Sequence, residues 1–320
     1  LHVRSRRQRQ MCIRDREKLM KQKLWVFLIL VILVAAGCAS PAEKDKKDDK
    51  KQSEHKTEQS IKYHRIISLM PSNTEILYEL GLGKEVIGVS TVDDYPKDVK
   101  NKQKFDAMKL NKEQLLKAKP DLILAHESQK GMDNKVLSDI EKKGIKVVYI
   151  PEAKNFEEIY GTFEQIGDIT GRKSQADTLV YDTKHRVEAV LKDVPKHQKA
   201  PSVFLEVSHE PEIYTAGKST FFNYMLEELQ AQNTFDDLTG WKKVSKESII
   251  KHNPDVLITT EGITRSDYLK IIRKRGGFEN IDAVKKKRIE AVNGDTISRP
   301  GPRIDQGLKA LRDAIYRDEQ

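Results

Sequence analysis

Residues 112–124 read KEQLLKAKPDLIL and residues 246–258 read KESIIKHNPDVLI, so the chain repeats one pattern at a separation of 134 positions. Each copy predicts a short amphipathic helix, a Pro-Asp turn and a strand of apolar β-formers. A glutamate stands three positions after each copy, at Glu127 and Glu261. Two copies of one helix-turn-strand unit indicate two similarly built lobes with a ligand cleft between them.

The segments around the two copies also recur in the same order. Each half is predicted to open with a strand and a helix and to close with another strand, at residues 65–69, 75–80 and 144–150 and again at residues 202–207, 220–229 and 288–292. Strands that alternate with helices form parallel βαβ units. We therefore predict an α/β fold with two Rossmann-like lobes and mostly parallel sheets: an N-terminal lobe at residues 62–155 and a C-terminal lobe at residues 196–320.

A helical region at residues 156–195 is predicted to link the two lobes. Apolar residues recur there on one helical face, and Gly167 and Gly171 interrupt the first half. A single long helix of some 20 residues would span about 30 Å. Because such a helix resists wide hinge motion, we expect a largely preformed cleft.

The N-terminal part of the sequence has the pattern of a secreted lipoprotein. A short basic stretch starts at Met20, and 13 apolar residues follow at Leu24–Ala36. This stretch is shorter than the roughly 20 residues of a membrane-spanning helix and is typical of a signal peptide. The small residues before Cys38 resemble a lipobox, in which the cysteine is acylated. We predict a signal peptide at residues 20–37, a lipid anchor at Cys38, and an upstream extension of non-native sequence at residues 1–19.

Residues 38–61 are predicted to carry the lipid and form a disordered, charged tether. Residues 41–60 contain six Lys against six Asp/Glu and, apart from Pro41, no aliphatic side chain larger than Ala, and such a composition cannot form a core. Residues 1–37 hold nine Lys/Arg against two Asp/Glu, which accounts for seven of the nine net positive charges. The folded body therefore lacks the basic excess that nucleic-acid binding requires.

Several further motifs follow one another in a characteristic order. They are RIISLMPSNTE at residues 65–75, GLG at 81–83, DYP at 94–96, YTAG at 214–217 and SRPGPR at 298–303. Together with the duplicated unit, they resemble the substrate-binding lipoproteins of bacterial ABC importers for iron–siderophores, haem and cobalamin. The resemblance covers residues 65–316. It implies a monomeric receptor on the outer face of the cytoplasmic membrane, not an enzyme, that delivers its cargo to a permease and an ATPase.

The resemblance also implies a role for one glutamate on each lobe. By motif, Glu113 and Glu247 would dock into arginine pockets of the permease. They stand at equivalent points of the duplicated helices. Two rigid carboxylates in bidentate pairing with arginine would fix orientation as well as add affinity. Without the resemblance, each would be interpreted as a solvated residue that interacts favourably with a helix dipole.

Ligands of open α/β sheets lie beyond the carboxyl ends of the strands. The predicted ligand-binding residues at these ends are Met70, Ser72, Asn73, His126, His209, Trp241, Asp295 and Arg299. By family motif, Asp295 and Arg299 lie on a ligand-facing loop, and Trp241 matches an aromatic that lines the cobalamin pocket of relatives. Arginine suits the oxygens and negative charge of many ferric siderophores. The expected ligand is an iron(III)–siderophore or similar metal chelate.

Other interpretations remain open from the residues alone. Cobalamin is one alternative, although Val92 and Ala107 stand where cobalamin binders carry aromatics. Haem is another, with Met70 and His209 as axial ligands. His126, His209 and neighbouring acids contain the ligand types of a bare-metal site, but they lack a spaced histidine pair, so we expect no resident metal or cofactor. Ser72, His126 and Asp295 contain the residue types of a hydrolase without its surrounding motif.

Overall fold

The computed structural model describes residues 60–132, 134–196 and 199–317. The predicted signal peptide, Cys38 and all but the end of the predicted tether lie outside the described residues. The strands are β1 Ile66–Ser68, β2 Val86–Ser90, β3 Gln103–Phe105, β4 Leu122–His126, β5 Lys146–Ile150, β6 Ser202–Ser208, β7 Ile213–Ala216, β8 Gln232–Asn233, β9 Trp241–Val244, β10 Val256–Thr259 and β11 Ile289–Ala291. The α-helices are α1 Pro71–Glu79, α2 Lys112–Ala118, α3 Gln129–Met132, α4 Asn134–Glu141, α5 Phe156–Thr170, α6 Lys173–Lys192, α7 Phe221–Glu228, α8 Lys246–His252, α9 Arg265–Lys274, α10 Asp282–Lys285, α11 Gly294–Ser298 and α12 Ile304–Ile315.

The N-terminal lobe contains a five-stranded sheet in the order β3-β2-β1-β4-β5. Every pairing in it is parallel. Its central strands are nearly continuous apolar runs with both faces buried, which is typical of a parallel sheet covered by helices. The predicted Rossmann-like plan of this lobe is confirmed.

The C-terminal lobe contains a six-stranded sheet in the order β11-β10-β6-β7-β9, with β8 paired to the start of β6. The pairings of β6, β10 and β11 are parallel, as in the first lobe. Strands β7 and β9 add an antiparallel extension. The α/β class and the mostly parallel sheets are therefore confirmed, and the mixed edge is the feature that distinguishes this lobe.

The duplicated unit has the same local structure in both lobes. Asn111 and Ser245 cap α2 and α8 by accepting a hydrogen bond from the backbone N–H three residues on. Both helices end at a residue in the left-handed region, Lys119 with φ 50° and Asn253 with φ 47°. This conformation turns the chain toward Pro-Asp and starts the following strand.

The aspartate of each Pro-Asp turn fastens the unit to the first strand of its lobe. The carboxylate of Asp121 accepts hydrogen bonds from the backbone N–H groups of His64 and Arg65, at 2.7 and 3.0 Å. The carboxylate of Asp255 accepts from the backbone N–H and the hydroxyl of Ser202, both at 2.9 Å. The two Pro-Asp turns therefore make the same attachment in each lobe.

The first helix begins earlier than the sequence indicated. A helix was predicted at residues 75–80, but α1 starts at Pro71 and its N-cap, Met70, makes no side-chain capping bond. That prediction is wrong because proline fits the first helical position, where a missing N–H costs nothing. Ser72 and Asn73 instead lie in the first turn, where both are buried.

Two helices form the region that links the sheets. The predicted long helix is α6, whose 20 residues span about 30 Å. The helix α5 precedes it and ends at Gly171 with φ 77°, where glycine adopts the left-handed conformation without strain. Buried residues of α5, α6 and both sheets belong to one hydrophobic cluster, including Ile66, Phe163 and Leu205. The lobes therefore share a continuous core. In the described part of the chain, no helix combines the length and apolar character that a bilayer crossing requires.

Candidate ligand-binding site

Helices α2 and α8 present one carboxylate each. Glu113 and Glu247 are exposed and lie in the first turn of these helices. Hydrogen bonds from its own backbone N–H and from Ser245 lower the pKa of Glu247, so this carboxylate is ionised at neutral pH. A helix that returns antiparallel to the strands begins at their carboxyl edge, so Glu113 lies at the ligand-side edge of its sheet.

A pocket of about 420 Å³ lies at the carboxyl edge of the C-terminal sheet. We call it the tryptophan pocket; its defining residues are Val207, Phe222, Trp241, Glu261, Asn293 and Asp295. Trp241 is half exposed, and its ring packs edge-on against Phe222 with centroids 5.3 Å apart. Trp241 opens β9 and pairs with Ala216 of β7, so the antiparallel extension brings this aromatic to the pocket. The pocket brings together two of the predicted ligand-binding residues, Trp241 and Asp295.

An ion-pair cluster joins the two lobes beside this pocket. We call it the inter-lobe cluster; it consists of Glu75, Asp94, Tyr95, Asp295, Arg299 and Arg303. Arg303 forms a bidentate pair with Glu75, with N–O distances of 2.7 and 2.5 Å, and its guanidinium lies 3.9 Å from the ring centroid of Tyr95. Glu75 is almost completely buried, and its hydrogen bond with Arg303 raises the pKa of that guanidinium.

The second arginine of the inter-lobe cluster contacts carboxylates from both lobes. Arg299 lies 2.5 Å from Asp94, 2.8 Å from Asp295 and 3.7 Å from Glu75. Burial alone would raise the pKa of Asp94, but the hydrogen bond and charge of Arg299 bring the net pKa below its usual value. Arg299 is therefore positioned at the predicted ligand-facing loop, with its positive charge already directed at protein carboxylates.

His209 belongs to a second polar network, in the C-terminal lobe. Its Nδ1 lies 2.5 Å from Glu261, whose other oxygen accepts a hydrogen bond from the His209 backbone N–H. Glu206 is fully buried and accepts two hydrogen bonds from Arg275, at 2.6 and 2.7 Å, and a third from the Tyr268 hydroxyl. Burial, chiefly, and the neighbouring carboxylate raise the pKa of Tyr268, so it remains a donor.

This network also contains three side chains of the kinds that bind metal ions. Ligand atoms of Glu206, His209 and Glu261 lie within 4.8 Å of one another. Arg275, however, already occupies both oxygens of Glu206, and a metal ion would have to displace this buried partner. Breaking a buried ion pair leaves an uncompensated charge at high cost. We therefore interpret Glu206 and Arg275 as a structural ion pair and not as part of a metal site.

The predicted residues of the N-terminal lobe lie deeper than those of the C-terminal lobe. Met70 and His126 are half-buried, and Asn73 donates a long hydrogen bond to the Ala125 carbonyl. Burial lowers the pKa of His126, whose Nδ1 pairs with the Ser128 hydroxyl at 2.8 Å. Ser72 lies beneath Gly301 of the other lobe, where an added Cβ would approach it to 3.8 Å. The structure thus places Ser72 and Asn73 in the packing between elements.

The residues considered for hydrolysis have separate partners. His126 pairs with Ser128, whereas Asp295 pairs with Arg299. Ser72 is buried in the first turn of α1. A nucleophile, its base and an orienting acid must share hydrogen bonds, and these three side chains do not form that arrangement.

The periplasmic binding protein family matches residues 66–295 of this chain. The chain belongs to the periplasmic binding protein family. It is 40% identical, over 92% of its own length and 97% of the relative's, to the uncharacterised ABC transporter substrate-binding lipoprotein YvrC of Bacillus subtilis. The expected relationship to the substrate-binding proteins of bacterial importers is confirmed.

Two other relatives of this periplasmic binding protein indicate different cargoes. A solved structure from Staphylococcus epidermidis, described as a possible iron-binding, periplasmic solute-binding protein, is 65% identical, with a TM-score of 0.73 over 80% of this chain and 99% of that one. The vitamin B12-binding protein of Pectobacterium atrosepticum is 29% identical over 75% of this chain and 84% of the relative.

The sequence did not reveal all of the side-chain contacts at the site of this periplasmic binding protein. It missed the pairing of Glu75 with Arg303 across 228 positions and the position of Phe222 behind Trp241. The DYP motif at residues 94–96 was noted, but its contacts with both arginines were not. The available signals were an acid in the first helix of one lobe, Glu75, and an arginine before the last helix of the other, Arg303. Neither specified a partner.

Proposed function

We propose that this protein is the extracytoplasmic, lipid-anchored receptor of an ABC importer and that it binds an iron(III)–siderophore or similar metal chelate without altering it. The observation that carries the proposal is the tryptophan pocket. It combines an exposed aromatic with polar side chains at the carboxyl edge of an α/β sheet, where ligands bind in this architecture. The possible iron-binding relative from Staphylococcus epidermidis supports iron as the metal.

The two lobes support delivery to a permease. Glu113 and Glu247 lie at matching positions of the duplicated helices and are both exposed. A permease that presents two arginine sites would bind both lobes at once and thereby orient the ligand-binding edge. The ATPase would complete the importer, and acylation of Cys38 would keep the receptor at the outer face of the cytoplasmic membrane.

Tryptophan fluorescence tests the ligand class. The chain has two tryptophans, Trp25 and Trp241, so a Trp25→Phe background leaves one indole at the pocket. We expect saturable quenching by one class of ferric siderophore from a panel of hydroxamate and catecholate chelates, haemin and cobalamin. Trp241→Phe in the same background should abolish the signal while an independent equilibrium dialysis still detects binding. Saturation by haemin or cobalamin alone would contradict the siderophore proposal.

Cobalamin is the second candidate. The half-exposed Trp241 presents aromatic surface that a large corrin ring could contact, and several relatives are vitamin B12-binding proteins. Val92 is exposed and stands where cobalamin binders carry aromatics. This difference favours the siderophore. Equilibrium dialysis with cyanocobalamin separates the two candidates, since tight binding would favour the corrinoid.

A further inference from the structure

The charged side chains of the tryptophan pocket all have one sign. Glu261 and Asp295 line it, and none of its lining residues in the described part of the chain is a lysine or an arginine. The aromatic surface comes from Trp241 and Phe222, and amide and hydroxyl groups complete the lining. Carboxylates beside a half-exposed indole are a combination that attracts organic cations, through ion pairing and through the ring quadrupole.

The nearby arginines do not reverse this charge. Arg299 and Arg303 face three carboxylates of the inter-lobe cluster, namely Glu75, Asp94 and Asp295. Three acids against two guanidiniums leave this cluster with a net negative charge. Glu261 adds a further carboxylate, and its partner His209 contributes a positive charge only when protonated. The sequence alone suggested that Arg299 would attract an anionic chelate, but its position among acids makes it a poor anion site.

We propose that the tryptophan pocket holds a positively charged arm of the ligand, an ammonium or a guanidinium group, against Trp241, Glu261 and Asp295. This inference rests on the proposed function, since it specifies the charge of the chelate that the receptor takes. Trp241 would contact the cation, while Glu261 and Asp295, which are paired with His209 and Arg299, would supply the negative charge around it. The metal-binding part of the chelate then lies toward the N-terminal lobe.

A charge series on one chelate tests the inference. The probes are a linear ferric trihydroxamate with a free terminal amine, its N-acetyl form and its N-succinyl form, whose arms carry one positive charge, no charge and one negative charge. Affinities are measured by Trp241 fluorescence on the full-length Trp25→Phe chain. We expect each step toward negative charge to weaken binding by about threefold to tenfold. Equal affinities, or tighter binding of the succinyl form, would overturn the inference.

Three variants assign the charge preference to this pocket. Glu261→Gln and Asp295→Asn should each reduce the ratio between the amine and acetyl forms to near one. Glu279→Gln removes an exposed carboxylate of the same lobe outside the pocket lining and should leave the ratio unchanged. A ratio that falls equally in all three variants would indicate a general effect of protein charge and would overturn the assignment to the pocket.

A smaller probe separates this inference from the proposed ligand class. Tetramethylammonium tests the pocket without any chelate, with sodium chloride as the ionic-strength control. We expect a saturable change in Trp241 emission that is lost in Glu261→Gln and Asp295→Asn but retained in Glu279→Gln. If no trihydroxamate binds while this response occurs, the siderophore class is wrong and the cation pocket stands. Absence of the tetramethylammonium response in the wild-type background would overturn the cation pocket.

Discussion

Equivalent positions in the two sheets carry different residues. The register of β1 on β4 and of β6 on β10 places Leu69 of the N-terminal lobe and Glu206 of the C-terminal lobe at the same point, just beyond Ser68 and Leu205. Leu69 is a buried apolar core residue, whereas Glu206 is equally buried and pairs with Arg275. The same frame therefore tolerates either an apolar residue or an ion pair.

The two lobes also differ at the carboxyl edge of their sheets. Glu206 lies next to the His209–Glu261 pair, and the antiparallel strands β7 and β9 add Trp241 to the same edge. The all-parallel sheet of the N-terminal lobe has no equivalent extension. Both lobes thus carry an exposed carboxylate on the repeated unit, whereas the antiparallel extension with Trp241 belongs to the C-terminal sheet.

The largest expected effect concerns the two exposed glutamates at matching positions of the repeated units. Glu113→Ala combined with Glu247→Ala should abolish uptake while leaving ligand affinity unchanged, because both residues lie outside the tryptophan pocket. Transport of radiolabelled ligand and fluorescence titration measure the two properties. Glu141→Ala with Glu279→Ala, which removes one other exposed carboxylate from each lobe, is the matched control for charge removal. Uptake that survives the double glutamate variant would refute the docking assignment.

Breaking the buried Arg275–Glu206 pair should destabilise the fold strongly, whereas replacing both residues by apolar ones should destabilise it little. Arg275→Met leaves Glu206 without its charged partner and should lower the free energy of unfolding by about 3–5 kcal/mol. The double variant Glu206→Leu with Arg275→Met imitates Leu69 and should recover most of that loss. Urea unfolding measures both values. A double variant as unstable as Arg275→Met would show that the two lobes are not interchangeable at this point.

The two Pro-Asp turns should contribute similar stability. Asp121→Ala and Asp255→Ala each remove two hydrogen bonds to the first strand and should each cost about 1–2 kcal/mol. Unequal losses in urea unfolding, beyond about 1 kcal/mol, would contradict the equivalence of the two turns.

Asp255 also predicts a pH dependence. Burial tends to raise its pKa, but the hydrogen bonds from Ser202 bring the net pKa below its usual value. A carboxyl with a lowered folded-state pKa contributes stability above its unfolded pKa of about 3.9, and this contribution is lost as the pH falls through the folded value. Unfolding measured from pH 6 to pH 3 should therefore show a smaller acid-induced loss for Asp255→Ala than for the unmodified chain.

The smallest effect concerns the helix caps. Asn111→Ala and Ser245→Ala each remove a side-chain acceptor for a backbone N–H at the helix start and should each cost about 1 kcal/mol. Asn111→Ser and Ser245→Asn, which exchange the two caps, should be nearly neutral. Thermal unfolding of the four variants measures these effects, and a large loss from either exchange would reveal a difference between α2 and α8 that their structures do not suggest.

The sequence predicted the local elements well because their signals are local. The amphipathic pattern and Pro-Asp turn of each duplicated unit specify α2 with β4 and α8 with β10 without reference to the rest of the chain. The start of α1 was predicted at residue 75, whereas Pro71 occupies the first helical position and Ser72 and Asn73 are buried in the first turn. The burial of this turn is a tertiary contact that local signals do not reveal.

The site was less predictable because its contacts are long-range. Trp241 and Asp295 were identified from motifs, and they do line one pocket. The pairing of Arg303 with Glu75 and of Arg299 with Asp94 depends on how the two lobes pack. No periodicity encodes such a partner, so the sequence identified charged residues at the ligand edge without indicating that they pair with one another.

The continuous core that passes from one sheet through α5 and α6 to the other has a mechanical consequence. Spreading the lobes would expose this apolar surface to water at about 25 cal/mol for each Å², and it would also separate Arg303 from Glu75. Thermal fluctuation alone would seldom supply that free energy. Under the proposed function, unloading would therefore require work from outside the molecule, and we propose that a permease applies it at the two exposed carboxylates, one on each lobe.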